Sequence, residues 1–448
     1  MHPELDERAG RRGGPYLALL RENPSFRRLW FAQLISLGGD WFNLVALTGL
    51  LLQLTGSSFY AGAVLAASLV PQFLTSPLAG VVSDRFDRRR LMLGANLVAA
   101  GLALAMLAVR SPQTVWLGLA ALAGIAVTGA FFDPASRAGL PNIVREDQLG
   151  TANVLMASTW GVMVAVGAGA GGVVAGLAGR DAAFIANAAS FLLSAALILG
   201  VRGRLGPTGV RRRELHPLRE LSEGVRWARS DGRIVALLAQ KVGFGLGMGM
   251  IGLLPVFATR VFGAHDAGIG ILYAARGLGT LLGPFGARPF VGTRLRRLFP
   301  VIAASMALFG VAYAVFPAAP GLWPAAAIVL AAHVGGGTQY TMTGYGLQLL
   351  TPDHVRGRIM AFELAAVTLP MSISLLLAGR AAETFSPGAV VEALALTTVA
   401  YAAIWALVTR RFWRARAGVP PGSSPEAYGE ELAGLTETIW SCPPTPLR

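Results

Sequence analysis

Stretches of about 20 mostly apolar residues, the length a helix needs to cross a hydrocarbon core roughly 30 Å thick, recur from residue 27 to residue 409. Only 14% of the 448 residues are charged, against about 25% in an ordinary soluble domain. The polar residues are too few to coat a globule of this size, so lipid has to supply much of the solvent. A chain in lipid must satisfy its backbone N–H and C=O groups internally, which makes each stretch a helix. We place twelve, at 27–54, 59–82, 91–109, 114–132, 151–178, 182–201, 234–258, 267–287, 298–317, 322–347, 358–380 and 388–409. The expected fold is all-α and integral to the membrane.

The formal net charge is +14, and a basic balance of that size can signal nucleic-acid binding. Its distribution argues otherwise. The segments on one side of the twelve placed helices hold 32 arginines, and the alternate loops hold four, Arg110, Arg180, Arg260 and Arg380. This is the asymmetry of the positive-inside rule. It predicts a multi-pass protein of the inner (plasma) membrane with both termini cytosolic, the bilayer as its partner and no nucleic acid. The polar, arginine-rich first 25 residues lack the apolar core of a signal peptide, so none is expected. The single cysteine, Cys442, permits neither an intrachain disulfide nor a multi-cysteine metal site.

Shifting the chain by 206 or 207 residues superimposes one half on the other. Gln33, Gly38 and Gly56 meet Gln240, Gly245 and Gly263, while Gly129, Gly139 and Gly150 meet Gly336, Gly346 and Gly357. An offset this constant marks an internal repeat, and six helices return the chain to its starting side, so the repeats are parallel. The expected organisation is a cytosolic segment at 1–25, six-helix halves at 26–201 and 234–410, and a tail at 411–448 that reads as disordered. Between the halves, residues 202–233 form a cytosolic linker with Leu218, Leu221, Val225 and Ala228 at helical spacing, an amphipathic helix.

The loop after the second helix reads Gly80-Val-Val-Ser-Asp84-Arg85-Phe-Asp87-Arg88-Arg89-Arg90. A positive-inside loop accounts for its arginines but not for Gly80 and Asp84 at this spacing. The segment resembles the Gly-x-x-x-Asp-Arg-x-x-Arg-Arg signature of the major facilitator superfamily. Together with GDWF in the first helix, FFDPASRAGLPNIVREDQLGTANVL near 131–155 and LLTPDHVRGRIMAF near 349–362, it is similar to the macrolide-efflux and siderophore-exporter branch. The resemblance implies a fold of two pseudo-symmetric six-helix halves. It also implies a conformational latch at Gly80, Asp84, Arg85, Arg88 and Arg89, in which Asp84 meets the start of the eleventh helix. Phe290 takes the place of Asp84 in the second repeat, so the latch is one-sided. Drug antiporters of the family carry a Gly-x-Gly-Pro-x-x-Gly-Gly element in the fifth helix. Here Gly167, Gly169, Gly171 and Gly172 keep a glycine face without the proline, and plain helix packing explains that face equally.

Charge inside a bilayer costs at least about 2.5–3.5 kcal/mol on insertion scales, so each intramembrane charge is a candidate site. Asp40, beside Trp41 and Asn43, is the one carboxylate this placement sets deep in the core. Burial penalises the charged form of a carboxyl, which suits a proton carrier; a structural acid bonded to a neighbouring helix is the alternative. Arg276 falls at a similar depth, either as a partner of Asp40 or as a substrate contact. Lys241 and Glu363 lie at matching depths near the cytosolic ends and read as a packed ion pair. Trp160, Tyr273, His333, Gln339 and Tyr340 complete the cavity candidates, although single histidines and aromatics in helices more often serve packing.

Lys241 is the only lysine and follows Gln240, so the chain contains no phosphate-binding Gly-Lys-Ser/Thr loop. The strings GAGAGG at 167 and GMGMIG at 247 match Gly-x-Gly-x-x-Gly, yet neither follows a strand. Neither HExxH nor Gly-x-Ser-x-Gly occurs. No enzyme, cofactor or metal is therefore expected, and the resemblance implies a secondary transporter that exports an amphipathic small molecule (drug, macrolide or siderophore-like) by alternating access, in exchange for protons. The alternatives are uptake or lysophospholipid movement on the same fold, and a non-transporting membrane sensor or scaffold.

Overall fold

The structure, a computed structural model, describes residues 15–203, 205, 225–291 and 295–413, excepting the side chains of Pro15, Asp84, Ala157, Leu295, Arg296, Asp353 and His354. The apolar stretches are helical. A short helix α1 (Pro15–Glu22) precedes α2 (Pro24–Thr55), α3 (Phe59–Arg85), α4 (Arg88–Ala105), α5 (Val115–Gly139), α6 (Leu149–Ala178) and α7 (Arg180–Leu199). In the second half α8 (Gly232–Gly247) and α9 (Gly249–Val256) run on through a π turn at Phe257–Val261 as one crossing. There follow α10 (His265–Val291), α11 (Leu295–Val315), α12 (Leu322–Leu350), α13 (Asp353–Ala381) and α14 (Pro387–Trp413).

Local chemistry fixes the ends. Asn23 caps α2 by accepting from the Phe26 amide at 2.9 Å, Pro24 needs no donor partner there, and Gly56 closes the helix at φ 64°. Asp87 caps α4 through the Arg90 amide at 3.0 Å. Ten of the twelve crossings are long and apolar enough to span a membrane on composition alone. The other two, α10 and α12, have 27 and 29 residues but carry glycine and polar groups, Arg276 and His333 among them, because part of their surface faces protein interior instead of lipid. The expected break-free seventh helix is interrupted at Met248, within a run of glycines that weakens a continuous ladder.

The two halves meet along two seams, α6 against α10 and α3 against α13. The repeat offset carries α3 onto α10 and α6 onto α13, so the seams are pseudo-symmetric copies. Both depend on small residues, as close membrane-helix crossings do. A Cβ on Gly172 would lie 2.8 Å from the Gly270 Cα, one on Gly277 2.5 Å from the Ala165 amide nitrogen, and one on Gly62 2.1 Å from the Leu375 carbonyl oxygen.

The hydrophobic core is not evenly shared. At the end where arginines are few, one continuous cluster joins the halves, from Leu44–Leu52 and Ala61–Leu65 to Met248–Ala258, Ile269–Ala275 and Leu375–Ala382. At the arginine-rich end the buried apolar residues fall into separate clusters, around Phe299 and Trp405 in the second half and around Leu29, Phe132, Phe26 and Met156 in the first. The molecule is therefore fused at one end and divided at the other. Of the expected linker helix, Leu218 and Leu221 lie outside the described residues; residues 225–230 are helical, with Ala228 buried in the second-half cluster. The expected tail lies outside the described residues from 414 onward.

Candidate functional site

Between the divided clusters lies a cavity of about 550 Å³ lined by both halves. From the first half come Asp40 and Trp41 of α2, Asp133 of α5 and Trp160 of α6; from the second come Arg276 of α10, His333 and Tyr340 of α12, and Thr368 of α13. Most of the lining is apolar, with a few polar groups set into it, the usual composition of a small-molecule site.

Asp133 corrects the sequence reading, which left Asp40 as the one deep carboxylate and ended the fourth span at 132. A proline after an acid reads as a stop signal, but α5 runs through Pro134 to Gly139. The acid therefore stands in the cavity wall, close enough to Asp40 for the two to interact electrostatically. Asn187 of α7 lies beside Asp40 as well. Asp40 Oδ1, Gln33 Oε1, Asn187 Nδ2 and both amide atoms of Asn43 are buried without a protein hydrogen-bond partner. Unsatisfied buried groups are costly; of these, Gln33 and Asp40 line the cavity, while Asn43 and Asn187 lie behind its wall.

The opposite wall is ordered differently. Lys241 is fully buried, 2.6 Å from a Glu363 carboxylate oxygen, donates to the Tyr340 carbonyl at 2.8 Å and lies 3.5 Å from the centre of the Tyr340 ring. This is the packed ion pair expected from the sequence. Arg276 forms no ion pair with Asp40. Its guanidinium lies 5.9 Å from the Trp41 ring centre and 6.0 Å from that of Tyr273, and those two rings are 5.7 Å apart. Of the roles the sequence left open for Arg276, the pairing with Asp40 is not formed among the described residues; Trp41, one residue along α2, stands beside the guanidinium instead.

The remaining candidates divide. Trp41, Trp160, His333 and Tyr340 line the cavity, whereas Asn43, Tyr273 and Gln339 do not. Asn43 is one turn nearer the fused end, inside the joined core. Tyr273 is wholly buried behind Trp41. Gln339 accepts from Gln240 at 2.8 Å, and Gln240 accepts from Thr343 at 2.8 Å, a chain that ties α12 to α8. His333 also has a structural tie, 3.0 Å from the Tyr313 hydroxyl.

The glycine face of α6 packs on two neighbours: Gly167 and Gly171 against Gly38, Trp41 and Phe42 of α2, Gly169 and Gly172 against Ala274 and Gly270 of α10. Arg88 and Arg89 of the latch bond within the N-terminal part of the chain. Arg88 donates to the carbonyls of Ala138 at 3.0 Å and Leu205 at 3.3 Å, and Arg89 to those of Gly203 at 3.1 Å and Val201, all within the first half and the start of the linker. Arg85 is exposed, and a Cβ on Gly80 would meet nothing within 4 Å. The Asp84 side chain lies outside the described residues. The latch residues sit at the arginine-rich end.

At the fused end the halves are clamped by polar contacts absent from the sequence reading. Arg180 Nε bonds Asp266 Oδ2 at 2.9 Å, and Arg180 Nη2 bonds Asp266 Oδ1 at 3.3 Å; it also donates to Gln53. Arg260 donates to Ser58 Oγ at 3.0 Å and to the Gly56 carbonyl, while Ser57 donates to Glu383. Gly49 makes room for the first pair, since a Cβ there would lie 1.8 Å from Asp266 Oδ1.

Among the described residues, ten spans by length and composition and the long helices α10 and α12 form two pseudo-symmetric halves around a central cavity, the architecture of a membrane transporter of the major facilitator fold. A solved structure titled as a bacterial homologue of the iron transporter ferroportin in an inward-facing state shares that fold, with a TM-score of 0.67 and 16% identity, over 89% of this chain and all of that one (100%). The chain belongs to the transmembrane secretion effector family, whose sequence profile matches residues 16–427. It is 28% identical over 386 residues to the multidrug efflux pump Tap of Mycolicibacterium fortuitum, covering 82% of this chain and 91% of that protein. It is 24% identical over 364 residues to macrolide efflux protein A of Streptococcus pyogenes, covering 79% and 88%.

Proposed function

We propose that this protein exports amphipathic small molecules from the cytosol by alternating access, driven by proton antiport. The carrying observation is the contrast between the fused and divided ends with a two-walled cavity between them. Such a body rocks about its central site when the closed end opens and the open end closes. The positive-inside rule sets the arginine-rich end in the cytosol, so the cavity is in its inward-facing state, ready to load from inside. Efflux in both named relatives supports the outward direction.

Asp40 and Asp133 are the proposed proton sites. Carboxylates in a low-dielectric cavity wall with no ion-pair partner among the described residues can exchange a proton for a cationic substrate group without breaking a salt bridge. The test is transport of rhodamine B ethyl ester, a permanently charged amphipathic cation, by purified full-length chain in proteoliposomes. Wild-type protein should concentrate the dye in an acidic lumen against its gradient. Asp40→Asn should abolish that uphill step yet retain downhill exchange. Equal uphill transport by the variant would remove Asp40 from the coupling scheme.

A further inference from the structure

We infer that Arg276 is a recognition site for a carboxylate on the substrate, so that the preferred cargo is an amphipathic zwitterion and not a simple cation. The inference rests on the export reading above and narrows its substrate class.

Lys241 and Arg276 both lie well inside helices of the second half, and the protein treats them in opposite ways. Lys241 is sealed off and neutralised by Glu363 and the Tyr340 carbonyl. Arg276 lines the cavity, and among the described residues no carboxylate pairs with it; its neighbours are the faces of Trp41 and Tyr273. An arginine that served only packing would be expected to find an acid, as Lys241 does, since an uncompensated buried charge is expensive. Arg276 has no such partner within the protein and is open to the one place a substrate can enter.

The guanidinium presents five donors in a planar fork whose geometry matches a carboxylate bidentately. Its aromatic surroundings strengthen the match. Trp41 and Tyr273 hold the fork in place without satisfying its donors. The apolar lining, with Leu37, Phe244 and Met371, accepts the body of an amphiphile. Asp40 and Asp133 stand on the other half, where their charge repels an anionic group and attracts a cationic one. The wall charges thus orient a zwitterion: its carboxylate toward α10 and its amine toward α2 and α5. During antiport the amine end is displaced by protons while the carboxylate stays paired until the halves part.

The experiment compares rhodamine B, which carries a free carboxylate, with its ethyl ester, which has the same chromophore without that anion. Both are measured in proteoliposomes with the full-length chain, against protein-free liposomes. For wild type the acid should be exported in preference to the ester. In Arg276→Gln the acid-to-ester ratio should fall about tenfold, the effect of losing one charge-assisted contact worth about 1.5 kcal/mol, and Arg276→Lys should restore part of it. A merely structural arginine would lower both dyes together and leave the ratio unchanged, and that result overturns the inference. So does a wild type that moves the ester but not the acid, which leaves the export reading intact. Movement of neither dye counts against export itself, and the inference falls with it.

Discussion

At the arginine-poor end all four loop arginines are held. Arg180 and Arg260 reach across to the other half, Arg380 contacts Glu383, which in turn accepts from Ser57, and Arg110 meets Asp181 in a two-pronged pair at 2.8 Å. At the arginine-rich end, Arg28, Arg88 and Arg89 bind backbone carbonyls of their own half. The same residue type thus helps close one end by joining the halves and, at the other, ties the first half and the start of the linker to itself. A carrier that alternates needs this division: contacts between halves have to be breakable, while contacts within a half must survive the motion.

The largest expected disruption of this contrast comes from the packed seam. Gly277→Val would drive a branched side chain into the Ala165 backbone, 2.5 Å from where the first carbon must go, and backbone cannot yield cheaply. Overpacking of this kind costs about 3 kcal/mol, so the yield of monodisperse protein in detergent should collapse. A variant with wild-type melting behaviour would mean that the α6–α10 crossing is looser than described.

A smaller effect is expected from Asp266→Asn, which leaves Arg180 without its acid. With side chains 18% and 9% exposed, the pair is mostly shielded, and losing the charge costs about 1–3 kcal/mol. That cost falls on the closed-outside state alone, because the pair spans the two halves. In a Cys442→Ser background, a cysteine introduced at Leu44 should become more reactive to impermeant reagent from the arginine-poor side. Unchanged labelling would show that the apolar cluster holds that end shut without the ion pair.

Much of the scaffold was legible in the sequence because lipid leaves so few choices: apolar length and the 206- or 207-residue repeat both point to the same helices. The Lys241–Glu363 pair was readable from matching depths alone. The clamp was not, since its partners are 86 and 204 residues apart and nothing local ties an arginine in one loop to a glycine carbonyl in another. Asp133 was hidden by Pro134, whose usual meaning is a helix end. Arg276 was left between Asp40 and a substrate contact, because depth does not fix the rotation of one helix against the next. The latch motif was visible as residues, but the Asp84 side chain that would meet α13 lies outside the described residues.

The central claim is that the two ends open in alternation, and paired spin-label distances test it most directly. In the Cys442→Ser background one pair, at Gln113 and Phe385, reports the arginine-poor end, and a second, at Phe86 and Gly357, reports the arginine-rich end. All four positions avoid the contacts described above. In nanodiscs without substrate, the first pair should show one short distance and the second a long one. Adding rhodamine B ethyl ester should lengthen the first as it shortens the second, with populations changing in antiphase. Both distances growing together, or the arginine-rich end closing while the Gln113–Phe385 distance stays fixed, would contradict alternating access in this protein.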